Sequence, residues 1–144
     1  MLRQSLNLQN KNEFYSVDLM TGITNWINDI NSNLTHIIIG NLVFSVSNDG
    51  YLYVIEKNNG NIIRINDLYV NYKQKKRNKV KPIGFVIGND KLFLTNTDGK
   101  MIIVDLSDGK ITGIKKIAGD FTSKPFIYDQ NLFVIKNGSI LKFN

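Results

Sequence analysis

His36 is the only histidine in the chain, and there is no cysteine. A Ser-His-Asp triad needs histidine beside a nucleophile and a carboxylate, and a structural zinc site needs several nitrogen or sulfur ligands. One histidine supplies at most one of these, and its place beside Ile37 reads as a strand position. Asp49, Asp98, Asp105 and Asp108 offer the oxygens that calcium prefers. They recur at turn positions, where Asp favours the local backbone geometry, so turn chemistry is the reading for all four. No paired acid and base carboxylates are argued from such a recurrence. The expectation is that the chain has no catalytic residue, no metal site and no bound cofactor.

The remaining candidate chemistry is positive charge. Lys73, Lys75, Lys76, Arg77, Lys79 and Lys81 fall in one short segment with no acidic residue between them. With these six set apart from the 18 basic residues, the remainder balances the 12 acidic ones, although the whole chain carries +6. The chain therefore reads as a neutral domain with one basic loop. A solvated loop is the plainest reading of the segment, and an electrostatic contact with an acidic partner or with anionic lipid head groups is the functional one. Tyr69 and Tyr72 flank it and would permit base stacking. The balanced charge elsewhere argues against nucleic acid as the partner.

These residues need elements to hold them, and the elements repeat. Residues 40–64, 88–113 and 128–144 read alike, and residues 14–26 form a partial copy. Each full copy has a short apolar strand and then a turn: Asn48-Asp49-Gly50, Thr97-Asp98-Gly99 or Lys136-Asn137-Gly138. A second, alternating strand follows. A further turn comes at Thr21-Gly22, Asn59-Gly60 or Asp108-Gly109, and then a third strand. Asn-Gly and Asp-Gly favour tight turns because glycine reaches positive φ without a Cβ clash. Gly22 and Gly60 are 38 residues apart and Gly99 and Gly138 are 39 apart. Gly60 and Gly109 are 49 apart, with the excess falling in the basic segment.

A period near 40 built from strands is the mark of propeller blades. The apolar runs around Ile37, Phe85 and Phe126 precede each hairpin set and fit the innermost strand of a blade. No stretch shows a capped helical period, so almost no helix is expected. The fold expectation is all-β: a partial β-propeller of about three to four antiparallel four-stranded blades. Residues 1–144 form one domain in this reading, with blades over 1–33 (incomplete), 34–81, 82–123 and 124–144 (incomplete). Its structural repeat residues are Trp26, Gly22, Gly50, Gly60, Gly99, Gly109 and Gly138.

The pattern resembles the pyrroloquinoline-quinone (PQQ) type of propeller repeat: Asp-Gly, then a Leu-Tyr-Ala-Leu-Asp strand, then Thr-Gly and a closing Trp. Asp49-Gly50 followed by residues 51–55 carries it. So do Tyr15-Ser16-Val17-Asp18 with Thr21-Gly22 and Trp26, and Asp98-Gly99 with Ile103-Val104-Asp105 and Asp108-Gly109. The closing Trp is present only at Trp26. Arg64 and Gly113 stand in its place in the next two copies, so the resemblance implies that those blade contacts are packed differently.

Within this family the chain is most similar to the C-terminal part of the propeller lipoprotein of the outer-membrane β-barrel assembly machinery. That resemblance implies a last blade ending one strand short and completed from the N-terminal side. Met1 then starts inside a blade, so the expectation is the closing portion of a longer propeller. It also implies a non-enzymatic scaffold in the periplasm. Its protein partners would be the barrel-assembly core, unfolded barrel clients, or both. Membrane association would come only through a lipid anchor that this chain does not show. The residues assigned to partner binding are Lys73, Lys75, Lys76, Arg77, Lys79 and Lys81. The alternatives are a fragment of a PQQ-dependent alcohol or sugar dehydrogenase, and a propeller interaction domain of a larger sensor protein.

Overall fold

The computed structural model describes residues 2–6, 12–120 and 122–143. The outermost expected limits, Met1 and Asn144, lie outside the described residues. Four antiparallel sheets follow one another along the chain. The first is β1 (Leu2–Leu6), β2 (Asn12–Val17) and β3 (Thr24–Asn28). The second is β4 (Ile37–Ile39), β5 (Leu42–Val46), β6 (Tyr51–Glu56) and β7 (Ile62–Asp67). The third is β8 (Pro82–Gly88), β9 (Lys91–Asn96), β10 (Lys100–Asp105) and β11 (Ile111–Lys116). The fourth is β12 (Phe126–Tyr128), β13 (Asn131–Lys136) and β14 (Ser139–Phe143). Every sheet pairs in chain order, so each is a meander, and the fold is all-β and propeller-like, as expected.

One irregularity recurs with the repeat. The register slips between Ser16 and Val17, between Val54 and Ile55, and between Ile103 and Val104. Each slip sits at the same point of a sheet's last two strands and adds local twist there. Turn chemistry follows the residue types. Gly50, Gly60, Gly99 and Gly109 all take positive φ. Two further turns, Asn89-Asp90 and Asp129-Gln130, reach positive φ without glycine. Asn and Asp tolerate that region because their short polar side chains bond locally.

Alternation along the strands sends one face of each sheet toward the preceding sheet and the other toward the next. Phe14, Trp26, Ile30, Val43 and Ile55 form the core between the first and second sheets. Phe44, Val46, Leu52 and Val54 meet Leu92, Leu94, Ile102 and Val104 between the second and third. Met101 and Ile117 meet Leu132 and Val134 between the third and fourth. The opposite face of the fourth sheet carries Phe133, Ile135 and Ile140. Ile135 and Ile140 are 42% and 65% exposed, whereas Val46 and Leu52, at the equivalent places of the second sheet, are fully buried.

The innermost strands are less buried than their apolar sequence suggests. Ile38 and Ile39 are about half exposed, because β4 is short and bonds to β5 on one side only. Among the described residues the only helix is α1 (Gln74–Arg77), a single turn in the basic segment. No described helix is long and apolar enough to cross a membrane.

Candidate interaction surface

The segment joining β7 to β8 is tied down along its length. Tyr69 is fully buried, and its hydroxyl donates to Asn96 Oδ1 at 2.6 Å, crossing from the second sheet to the third. Its ring lies over Gly50, where a Cβ would sit 2.3 Å from ring carbon, so this glycine serves close approach as well as its φ of +86°. Tyr72 packs edge-on against Tyr69, and its hydroxyl donates to Asp98 Oδ2 at 3.0 Å. Burial foremost pushes both phenols well above the ordinary tyrosine range, helped by Tyr72 and then Asp98 at Tyr69 and by Asp98 at Tyr72. Both therefore stay neutral donors at any physiological pH.

The helical turn α1 then divides the six cations. Arg77 donates to Asp67 Oδ2 at 2.7 Å and lies over the Tyr51 ring. The Asp67 hydrogen bond is the main reason its guanidinium holds its proton more firmly than usual. Lys76 pairs with Asp98 at 3.2 Å and stands over the Tyr72 ring. Lys73, Lys75, Lys79 and Lys81 are exposed. The segment expected as a solvated loop is thus a pinned platform. Two of its cations are structural anchors and four point to solvent. Tyr69, Asn96, Asp67 and Asp98 do the pinning; Tyr69, read in the sequence as able to stack on a base, is a buried anchor instead.

The aspartates are turn residues, as read. Asp105 accepts from the Ser107 hydroxyl and backbone N–H, and Asp108 from Lys110. These bonds hold both carboxyls below the usual range. His36 lies against the Phe14 ring at 4.3 Å, and its burial lowers its pKa. Among the described residues no cluster of His, Cys, Asp and Glu is placed to hold a metal ion.

The closing position of each repeat governs how neighbouring sheets meet. Trp26 lies on Gly60, and its indole N–H donates to Lys57 O at 2.7 Å. Arg64 occupies the same place one sheet later and donates to Leu106 O and Ser107 O at 2.6 and 2.7 Å. Asn28 and Asn66, two residues on, reach Gly60 O and Asp108 O. Gly113, the third occupant, presents no side chain. An open cleft of about 720 Å³ lies between the third and fourth sheets, lined among others by Phe93, Met101, Ile103, Lys115, Leu132 and Phe143. The expectation of different packing at Arg64 and Gly113 is met, by hydrogen bonds at one and by the lack of a side chain at the other.

Residues 4–66 match the family described as outer membrane protein assembly factor BamB, of the PQQ-like repeat type. No curated protein matches the sequence. BamB from Moraxella catarrhalis superposes with a TM-score of 0.64 at 16% identity, over 91% of this chain and 39% of that one. Sqt1 from Saccharomyces cerevisiae gives 0.76 at 16% identity, over 99% of this chain and 41% of that one. A europium-containing methanol dehydrogenase gives 0.58 at 14% identity, over 79% of this chain and 22% of that one. The chain thus spans about two fifths of the length of the first two structures. The family match covers residues 4–66, and the solved structures share the propeller fold with this chain.

Proposed function

We propose that this chain, as a set of BamB-type propeller repeats, is a non-enzymatic protein-binding scaffold that aids assembly of outer-membrane proteins. The observation that carries this reading is the match of residues 4–66 to the BamB family. The geometry supports it, since each described polar cluster serves turns or sheet contacts. The mechanism is binding. Rigid sheets hold loops at fixed spacing, and those loops grip the barrel-assembly core. Open strand edges suit strand addition by extended client segments. The contact residues lie in the basic segment between β7 and β8. The setting is the periplasmic face of the outer membrane.

The test is complex formation between the purified 144-residue chain and a purified barrel-assembly core, read by biolayer interferometry. Saturable binding is expected, and its absence would overturn the reading. Dye-linked alcohol oxidation on adding quinone and calcium would point to the dehydrogenase branch instead.

A further inference from the structure

The fold sorts charge in a way the linear sequence hides. Each meander has two rims. One rim carries the turns between β5 and β6, β9 and β10, and β13 and β14, together with the connections from sheet to sheet. The other carries the remaining hairpin turns. Outside the basic segment the sequence is balanced, yet the exposed Lys115, Lys116 and Lys124 also fall on the connection rim. Exposed carboxylates there are fewer: Asp29, Asp49 and Asp120. Asp67 and Asp98 are already engaged by Arg77 and Lys76. On the opposite rim the exposed Asp18, Asp90, Asp108 and Asp129 offset Lys57, Lys91, Lys110 and Lys142. Among the described residues, then, the connection rim is strongly positive and the other rim close to neutral.

We infer that the connection rim, from Lys73 across to Lys124, is a docking surface for an acidic face of a folded protein. This inference rests on the scaffold reading and names which side of it meets the partner. Charge complementarity sets the sign, since oppositely charged patches steer encounter and fix orientation. Rigidity sets the class of partner. Lys76–Asp98, Arg77–Asp67, Tyr72–Asp98 and Tyr69–Asn96 hold the platform at four points, so its free lysines keep fixed spacing. Fixed cations suit fixed carboxylates on another folded surface. A lipid surface is served as well by a mobile basic run, and it would bring its phosphates equally against Asp29, Asp49 and Asp120.

A fluorescein-labelled decaglutamate peptide stands in for the acidic face, with the intact chain titrated by anisotropy. Two variants are compared. One replaces Lys73, Lys75, Lys79 and Lys81 with Glu, and the other replaces Lys57 and Lys91 with Glu on the opposite rim. None of these six side chains anchors another element, so both variants are expected to melt like the parent. A Lys→Gln version of the first serves if its melt falls.

Loss of affinity by about tenfold or more is expected in the first variant, with a change of about twofold or less in the second and weakening by salt. Equal losses in the two variants, or no loss in the first, would overturn the inference. Tighter binding to phosphatidylglycerol vesicles than to the peptide would also overturn it, in favour of a lipid surface. The barrel-assembly core is run in parallel. If it binds the parent and the first variant equally, the rim assignment fails while the scaffold reading stands. If it binds neither while the peptide discriminates, the reverse holds.

Discussion

The first and third sheet interfaces are built from the same repeat, and their closing positions differ most plainly. At the first, Trp26 fills the space over Gly60 and donates to Lys57 O. At the third, Gly113 brings no side chain to that place, and an open cleft of about 720 Å³ lies between the third and fourth sheets. The middle interface lies between them, where Arg64 trades apolar area for two hydrogen bonds to carbonyls. The closing position thus makes a different kind of contact with the neighbouring sheet at each interface.

Trp26→Ala should have the largest effect on that comparison. Removing a large buried aromatic costs about 3–5 kcal/mol, and here it also strands Lys57 O. A urea melt should show the loss, and a cost under about 1 kcal/mol would mean that the first interface is not sealed by this ring. Arg64→Ala should come next, at roughly 1–3 kcal/mol, because charge-assisted bonds to two carbonyls are lost.

Gly113→Val should run the other way. A Cβ there meets nothing nearer than Ile103 at 3.6 Å, and glycine weakens a strand interior. A gain of up to about 1 kcal/mol is expected, together with slower amide exchange in β13. Destabilisation would show that this position must stay bare.

The smallest effect concerns pH. Burial against Phe14 lowers the His36 pKa below its ordinary 6.5. The unfolded chain therefore takes up this proton first as pH falls. Stability should be level above about pH 6.5 and decline below it, down to the lowered pKa. His36→Gln should flatten that part of a melting profile, and an unchanged profile would show that the ring is not held neutral.

Much of the fold was legible because turns and strand alternation are local. Asp-Gly and Asn-Gly marked the hairpins at Gly50, Gly99 and Gly138, and the spacing marked the sheets. The Asn89-Asp90 and Asp129-Gln130 turns did not stand out, since they reach positive φ without glycine. At the candidate surface, the six cations were visible as a run. Their division into anchors and free charges was not. It depends on Asp67, Asn96 and Asp98, which lie 10 to 27 residues from their partners in sequence and meet them only when the segment folds back on the second sheet or onto the third. The replacement of Trp by Arg64 and Gly113 was visible, but the carbonyls that Arg64 bonds lie in the neighbouring sheet.

The single turn of α1 also divides into two regimes of tolerance. A change at Arg77 or Lys76 loosens the segment from the second or the third sheet. A change at Lys75 or Lys79 alters only what the surface offers to the outside. Such a platform can be retuned to a new partner one lysine at a time, with the scaffold beneath it untouched.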